Sequence, residues 1–451
     1  MAISGIEIFK HLPKTNCGKC KFPTCLAFAM KLAVKQVSLD QCPDVSAEAK
    51  AKLSDASAPP IRLITIGTAE NAVSVGEETV MFRHEKTFYR TPGIAVVLSD
   101  KSTGDEIKQK VENAVKAAIE RVGQHLKVDL IAIENESGDP QKFTEAVKLI
   151  TDLTNLPLIL KSDKIDSLKA IWANGHSPLH GKKPLIWAAN ETNYHDFAQI
   201  AKENGCSLAV YEPDLEKLSN LVEKITALGV KDLVLDPGAS KAKDIIEKFT
   251  IIRRSAIRKS FKPLGYPVIS FFHKTGDNMQ EAMLASIAIS KYGSIIGLSS
   301  CEMWKVLPLF ALRQNIYTDP QKPMKVEQKI YKIGEPDQNS PIMITTNFSL
   351  TYFLVAGEIE NSKVSAWLAV QDSEGLSVMT AWAAGKFSAG TISNFINTVK
   401  ASELVNHKKL IIPGYVSVLS GSLQEKLPDW NIIVGPREAN AIPVFFKNEW
   451  K

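Results

Sequence analysis

Four cysteines lie within the first 42 residues of this 451-residue chain, with the spacing of a metal centre. They follow the pattern Cys17-x2-Cys20-x4-Cys25-x16-Cys42, with Pro43 after the last of them. Only Cys206 and Cys301 occur in the rest of the chain. Three closely spaced thiolates and one distant Cys-Pro are typical of an iron–sulfur cubane. The sequence therefore predicts a [4Fe–4S] cluster bound by these four cysteines.

A helix is predicted to begin at Cys25, because Pro23 and Thr24 are typical of a helix start and apolar residues follow at helical spacing. The backbone N–H groups of its first turn would face the anionic cluster and stabilise its charge. Two alternatives stay open at this stage. One is a structural zinc, which more often uses two separated cysteine pairs, and the other is disulfides or unligated thiols.

Polar residues also cluster where apolar runs in the middle of the chain end. They are Glu134-Asn135-Glu136, Lys161, Asn190-Glu191-Thr192, Glu212, Asp236-Pro237-Gly238 and His273-Lys274. Active sites of parallel barrels are built at such strand ends. The same residue types also cap the helices that follow, and capping is the more common reason for them. Capping is therefore the preferred interpretation.

Eight short apolar runs alternate with amphipathic stretches across this middle region. The runs are 93–98, 130–134, 157–161, 184–190, 207–213, 232–238, 266–272 and 294–300. Strand and helix repeated eight times predict a (β/α)8 barrel of the TIM type, with an open doubly wound sheet as the alternative. Apolar residues between Ile107 and Val122 predict the first helix. Residues 61–67 and 73–82 predict a β-hairpin that caps the amino-terminal end of the barrel.

Two polar, proline-containing stretches divide the chain. Ser54–Pro60 predicts the end of the cluster module, and Thr318–Pro323 begins a second linker. The expected domains are a cluster module of residues 1–58, a barrel of residues 59–325 and a third α/β domain of residues 326–451.

Strand-like runs at 342–346, 366–370, 409–412 and 431–434 predict a doubly wound α/β fold for the third domain, with helices at 388–399 and 417–427. Small and polar residues follow its strands, at the edge where open α/β sheets bind ligands. Such loops accept a large flat cofactor, but they are weak signals alone. No G-x-G-x-x-G follows a strand, which disfavours a dinucleotide.

Composition excludes several classes of function. The net charge of +5 is mild and the charges alternate in sign, so no nucleic-acid partner is expected. The amino-terminal residues lack the pattern of a signal peptide, and no apolar run reaches the length of a membrane span. We expect a cytoplasmic protein without a membrane partner.

These features together resemble the large (gamma) subunits of the corrinoid iron–sulfur proteins of the anaerobic acetyl-CoA (Wood–Ljungdahl) pathway. The resemblance covers the whole chain. It rests on the cysteine pattern, the barrel with Asp236-Pro237-Gly238, and the stretch from Glu374 to Phe387. The cysteine pattern and the last stretch are its specific parts.

The resemblance implies a methyl carrier rather than a free-standing enzyme. It implies a cobamide that accepts methyl from methyltetrahydrofolate on a separate methyltransferase and donates it to acetyl-CoA synthase, while the cluster reduces Co(II) to Co(I). It also implies a smaller corrinoid protein subunit as heterodimer partner, and an electron donor such as ferredoxin. The cobamide contacts carried over are Thr346, Asn347, Gly375, Leu376, Ser377, Val378, Thr380, Gly414, Tyr415 and Gly435.

A base-off cobamide is expected, because the chain has no Asp-x-His-x-x-Gly motif and His407 is its only histidine beyond residue 341. Thr380 is the residue expected nearest the cobalt. Two alternative functions remain at this stage. One is a pterin-dependent methyltransferase whose barrel holds the pterin on Asp236 and Asn190, and the other is a pure iron–sulfur electron-transfer protein.

Overall fold

The computed structural model describes residues 5–33, 37, 39–46, 49, 53, 59–173, 177–319 and 323–450. They fall into two compact units, one of Met1–Ala117 with Lys127–Tyr317 and one of Ala118–Leu126 with Thr318–Lys451. Residues 54–58 of the first predicted linker and 320–322 of the second lie outside the described residues. The separate module of residues 1–58 and the boundary after residue 325 remain predictions.

The elements up to residue 317 alternate between strands and helices. They are α1 (Gly5–His11), α2 (Cys25–Ala33), β1 (Ile64–Ile66), β2 (Val73–Val75), β3 (Gly93–Ser99), α3 (Gly104–Lys116), β4 (Ala118–Arg121), β5 (Gln124–Lys127), β6 (Leu130–Glu134), α4 (Pro140–Leu153), β7 (Leu158–Lys161), α5 (Ile165–Trp172), β8 (Leu185–Ala189), α6 (Tyr194–Asn204), β9 (Ser207–Tyr211), α7 (Leu215–Ala227), β10 (Leu233–Asp236), α8 (Ala242–Arg258), β11 (Ile269–Phe271), α9 (Asn278–Ser290), β12 (Ile295–Leu298) and α10 (Met303–Tyr317).

Within the described residues, eight parallel strands form the predicted barrel, in the order β10-β9-β8-β7-β6-β3-β12-β11. A bridge between Leu235 and Val268 closes it, and the Leu235 N–H donates to the carbonyl of Pro267 at 2.8 Å. Strands such as β6 and β10 are buried at every position, as expected where side chains fill the barrel and helices cover it. The eight predicted strands are confirmed.

The predicted hairpin is confirmed with shorter strands. β1 and β2 pair antiparallel, and Ile64, Ile66 and Val75 are fully buried. They pack with barrel residues such as Leu130 and Leu185 at the amino ends of their strands.

The prediction of one helix through Val122 is wrong beyond Lys116. Ala118 and Ile119 belong to β4, and Val122 with Gly123 forms the turn to β5, both with positive φ (54° and 66°). Two such residues favour a hairpin turn, which overrides the helical spacing of the apolar residues.

The second unit is built on a five-stranded sheet. Its elements are β13 (Lys329–Ile333), β14 (Ile342–Thr346), α11 (Ser349–Ser362), β15 (Ala366–Gln371), α12 (Val378–Ala383), α13 (Ala389–Thr398), β16 (Lys409–Ile412), α14 (Ser420–Lys426), β17 (Asn431–Val434) and α15 (Ile442–Glu449). The strand order is β13-β15-β14-β16-β17, and only the edge strand β13 among these is antiparallel. One core holds Phe395 and Leu423, and another holds Ile359 and Phe446, so helices cover both faces.

Among the described helices, none has the length and apolar character needed to span a bilayer.

Candidate cofactor sites

The cysteine module has a hydrophobic core of its own. Cys20, Cys25 and Cys42 are buried in it, together with residues such as Phe28 and Leu32, whereas Cys17 is exposed. This core holds the thiols of Cys20, Cys25 and Cys42 in place. The segment has little secondary structure apart from its short helices, so the core is what orders it.

The loop before α2 has an unusual backbone. Lys14, Asn16, Gly18 and Lys21 all have positive φ. The Asn16 Oδ1 accepts the N–H of Cys25 at 2.8 Å, so the loop folds back onto the start of α2. Successive turns of this kind direct backbone N–H groups toward a common point, which suits an anionic ligand.

Cys42 lies in the same buried core as Cys20 and Cys25. Burial raises the pKa of Cys42, an N–H bond from Asp44 opposes that effect, and the charges of Cys20, Cys25 and Cys17 add to it. In the described part of the chain, no three or more His, Cys, Asp or Glu side chains are arranged to hold a single metal ion. A cubane binds its four thiolates on different irons, so its ligands lie farther apart than those of one ion. The four thiols supply the donor set that a [4Fe–4S] cluster uses.

The other two cysteines are isolated packing residues. Burial raises the pKa of Cys206 to about 12 and that of Cys301 to about 11. Neither contributes to the core that holds the four clustered cysteines.

A cleft of about 280 Å³ lies at the carboxyl ends of β14, β16 and β17. The chain leaves β14 toward β15 and leaves β16 toward β17, so the cleft lies at the point where the strand order reverses, the usual ligand site of such sheets. Three predicted cofactor contacts line it, namely Ser377, Val378 and Tyr415. Its remaining lining includes Thr345, Pro436 and Arg437, which lie at or after the strand ends where a ligand was expected, and Met343, Leu354 and Ile412, which the sequence analysis did not predict as contacts.

The other predicted contacts lie around this edge in different roles. Thr346 and Asn347 are buried at the end of β14, and Gly375 is buried in the following loop. Leu376 packs against the core of the sheet. Thr380 is exposed, and its hydroxyl oxygen lies 3.0 Å from the hydroxyl oxygen of Ser377. Gly414 and Gly435 hold the loops after β16 and β17 together, because the Gly414 N–H donates to Pro436 at 3.0 Å and the Gly435 N–H to Ile412 at 2.8 Å.

Several buried polar atoms at this edge have no hydrogen-bond partner in the described structure. They are the hydroxyls of Thr345, Thr346 and Ser349 and the Gln371 Oε1. All four belong to the ends of β14 and β15 or to the first residue of α11. Thr345 alone among them also lines the cleft, so its unpaired hydroxyl is placed to bond a polar group of a ligand there.

Large apolar side chains are exposed beside the cleft. Leu350, Phe353 and Leu354 on α11, Met379 and Trp382 on α12, and Val418 are each at least 39% exposed. Leu354 and Met379 also line the cleft, so apolar side chains extend from the cleft to the protein surface.

His407 is remote from this edge. It lies just before β16, at the opposite end of the strand from the cleft. Its Nε2 is 3.0 Å from the carbonyl of Ser340, and its Nδ1 accepts the Lys409 N–H at 3.0 Å.

Comparison with known proteins agrees with this arrangement. The family model of the CO dehydrogenase/acetyl-CoA synthase delta subunit matches residues 63–446, and a model whose description names an Fe–S cluster matches residues 12–43. The corrinoid/iron–sulfur protein large subunit of Moorella thermoacetica is 46% identical over 445 residues, which cover 99% of this chain and 98% of that protein. This chain belongs to the corrinoid/iron–sulfur protein large-subunit family.

Archaeal relatives extend over the same length. The acetyl-CoA decarbonylase/synthase complex subunit gamma of Methanothermobacter thermautotrophicus is 37% identical, over 98% of each chain. A solved dihydropteroate synthase of Yersinia pestis covers 50% of this chain and 92% of its own at 14% identity, but its TM-score of 0.36 supports no conclusion. The family membership expected from the sequence is confirmed.

In this corrinoid/iron–sulfur family member, the polar residues at the carboxyl end of the barrel bind one another. Lys161 pairs with Glu134, and its Nζ lies 4.3 Å from the centroid of the Trp187 ring. The Trp187 Nε1 donates to Asp236 at 2.7 Å. The Asn190 Oδ1 accepts the Thr192 N–H at 2.9 Å, which forms a turn before α6, whose N-cap is Asn193. Asp236 and Asn190, which a pterin would require, are thus engaged within the chain.

The charges of this group are strongly perturbed. Burial raises the pKa of Asp236 to about 6, although hydrogen bonds from Trp187 and Gly238 oppose it. Burial acts in the same direction on Glu134, but His273, Lys161 and Lys274 together lower the pKa of that carboxyl below its ordinary value. Glu134 is therefore the permanent anion of the group.

Proposed function

We propose that this chain is a methyl carrier of anaerobic acetyl-CoA synthesis. A [4Fe–4S] cluster binds Cys17, Cys20, Cys25 and Cys42, and a cobamide binds at the carboxyl edge of the second unit's sheet. The cleft at the point where the strand order reverses carries the cobamide assignment, because its lining includes the unpaired hydroxyl of Thr345 and the predicted contacts Ser377, Val378 and Tyr415. The name of the bacterial relative supports both cofactors, and the name of the archaeal relative supports the link to acetyl-CoA chemistry.

When bound, the cobamide supplies a cobalt that accepts and donates a methyl group, and the cluster supplies the electron that returns oxidised cobalt to its reactive state. The loops at this edge of the sheet would hold the edges of the macrocycle. Ser377 lines the cleft, and Gly414 lets the loops after β16 and β17 pack closely, because a Cβ there would lie 2.6 Å from the Gly435 carbonyl oxygen. The exposed apolar side chains of α11 and α12 cover apolar ring surface.

The cofactor is base-off in this proposal. The cleft beside the loops is lined mainly by apolar side chains, among them Met343, Ile344, Ile412 and Ile442, which fit a displaced aromatic base. No histidine lines the cleft, and both ring nitrogens of His407 are engaged elsewhere. Without an axial nitrogen the cobalt receives less electron density, which makes it easier to reduce.

Electron paramagnetic resonance of the Co(II) state tests the ligand directly. We expect cobalt lines without nitrogen splitting in the wild type and in His407→Ala alike. Nitrogen splitting that is lost in His407→Ala would contradict the base-off proposal.

A carrier of this kind needs several partners. We propose a heterodimer with the small corrinoid protein subunit, and transient complexes with the methyltetrahydrofolate methyltransferase, acetyl-CoA synthase and an electron donor such as ferredoxin. The exposed apolar residues beside the cleft support a protein partner at that edge. The relatives' names also place those proteins in multi-subunit complexes.

Metal analysis of the anaerobically purified protein tests the whole proposal. About four equivalents of iron and about one of cobalt are expected, together with the absorption of both cofactors. Iron without cobalt, even after incubation with a cobamide, would favour a pure electron-transfer protein. Binding of methyltetrahydrofolate by the isolated chain would favour the pterin-dependent methyltransferase.

A further inference from the structure

The hairpin β4–β5 is inserted into the barrel sequence, between α3 and β6, but Ala118–Leu126 belongs to the second compact unit. Its turn is made by Val122 and Gly123, both with positive φ. A short loop is enough to connect a helix to the next strand of a barrel. The hairpin β4–β5 is therefore not needed to connect α3 to β6, and its contacts within the second unit indicate its role.

The tip of the hairpin packs against the second unit's core. A Cβ on Gly123 would lie 2.9 Å from the Cβ and 3.1 Å from the Cα of Val326, so a larger residue does not fit. Val326 is 2% exposed and belongs to the core that holds Ile359 and Phe446. The hairpin tip therefore fixes the position of the segment 323–326.

Val326 is in turn bonded to Asn347. The Val326 N–H donates to the Asn347 carbonyl at 2.9 Å, and the Asn347 Nδ2 donates to the Val326 carbonyl at 3.3 Å. The two residues thus hold each other through two hydrogen bonds.

The rest of the Asn347 side chain holds the loop that carries the predicted cofactor contacts. Its Oδ1 accepts the N–H groups of Ser373 at 2.9 Å and Gly375 at 3.0 Å, and its Nδ2 donates to Asp372 at 2.8 Å. Lys325 adds an ion pair with Asp372 at 3.5 Å. The side chain of Asn347 is buried with both polar atoms satisfied, so it has no free group for a ligand.

We propose that Gly123, Val326 and Asn347 form one support that positions the loop 372–377, and with it the start of α12, for the cobamide. Asn347 is a positioning residue in this scheme rather than a cofactor contact. The hairpin β4–β5 acts on the cofactor loop through two contacts, the first between Gly123 and Val326 and the second between Val326 and Asn347. This inference rests on the proposed function for the identity of the ligand, but the support itself is a property of the chain.

Two variants test the support from its two ends. The first combines Asn347→Asp with Asp372→Asn. It keeps the acceptor for Ser373 and Gly375 and allows a reversed bond between positions 347 and 372, but it removes the donor to the Val326 carbonyl. The second is Gly123→Ala, which forces the hairpin tip away from Val326. Gly181→Ala is the matched control, because Gly181 also has positive φ (71°) but no atom lies within 4 Å of its added Cβ.

Hydrogen–deuterium exchange on the full-length, cobamide-free protein gives the first readout. Amides of residues 372–377 should exchange about tenfold faster in both test variants, since loss of a buried hydrogen bond costs on the order of 1–2 kcal/mol. Gly181→Ala should exchange like the wild type. Wild-type exchange in both test variants would overturn the proposal, and wild-type exchange in the double variant alone would remove the Val326 link from it.

The cobamide-loaded heterodimer gives the second readout. Both variants should release the cobamide about tenfold faster and alter the cobalt lines of the Co(II) spectrum, with iron content unchanged. Unchanged release and spectra in both variants would contradict a role toward the cofactor. If the wild type itself binds no cobamide, the proposed function fails, whereas the exchange experiment still decides whether the support exists.

Discussion

Asp236 is a buried carboxyl group whose ionisation the barrel opposes. Burial raises its pKa from 3.8 to about 6, which corresponds to about 3 kcal/mol. A raised pKa means that the folded protein binds this proton more tightly than the unfolded chain. Asp236 therefore stabilises the fold below about pH 4, and this contribution is lost as the pH rises through 6.

The variant Asp236→Asn removes that dependence. Between pH 4.5 and 7, the free energy of unfolding of the wild type should fall by about 2 kcal/mol relative to this variant, because part of the stabilisation is already lost at pH 4.5. Chemical denaturation at several pH values measures the difference. Asp232→Asn, which changes an exposed carboxylate, is the control. Parallel pH profiles for wild type and Asp236→Asn would contradict the prediction.

The cysteines allow a test of the ligand set. Alanine at Cys17, Cys20, Cys25 or Cys42 should lower the iron content, whereas Cys206→Ala and Cys301→Ala should leave it unchanged. The last two are buried thiols outside the clustered core, so they serve as matched controls for loss of a sulfur atom. Iron measured per chain decides the question, and loss of half of the iron in Cys301→Ala would overturn the assignment.

For single residues, the sequence predicts sites formed by residues close together in the chain better than contacts between residues far apart in the chain. The cysteine ligands follow from local spacing, because a cluster is bound mainly by one short segment. The role of Asn347 could not be predicted, since its partners Val326 and Ser373 come together only in the folded sheet. The unpaired hydroxyl of Thr345 is likewise visible only when its burial is known.

The hairpin β1–β2 closes the amino-terminal end of the barrel core. Ile66 is fully buried among barrel residues, whereas Thr65 between Ile64 and Ile66 points outward. Ile66→Ala should lower the free energy of unfolding by about 3 kcal/mol, because it leaves a cavity in a closed core. Thr65→Ala, its neighbour on the opposite face, should change it by about 0.5 kcal/mol or less. Denaturant unfolding distinguishes the two, and equal effects would show that the hairpin does not seal the core.

Helices and strands could be predicted from the sequence where their apolar residues followed a single pattern. All eight barrel strands follow from continuous apolar runs, because strands buried on both sides need no polar residues. The β4–β5 hairpin was misread as helix, since its apolar residues happen to continue the spacing of α3. The edge strand β13 was also missed: its burial alternates weakly, and its partner β15 lies more than thirty residues away.

In the proposed function, one part of the molecule stores an electron and another part carries the methyl group. The core of the cysteine module contains only residues between Ile8 and Leu53, so removing the module does not open the barrel core. Deleting the residues before Ala58 should therefore spare methyl transfer by protein whose cobalt has been reduced beforehand. It should abolish reactivation after oxidation, because no other described residues provide the clustered thiols that an iron–sulfur cluster needs.

Stopped-flow absorption of the reduced cobamide measures both steps in the full chain and in the truncated chain. A thermal unfolding midpoint close to that of the full chain shows that the barrel and sheet are intact. The variant Cys42→Ala within the full chain is the matched control, because it keeps the module but removes one ligand. If truncated protein were reactivated by the electron donor at the full-length rate, the electron would reach the cobalt by another route. The cluster would then have no part in the carrier cycle, and the division of labour between the two cofactors would be wrong.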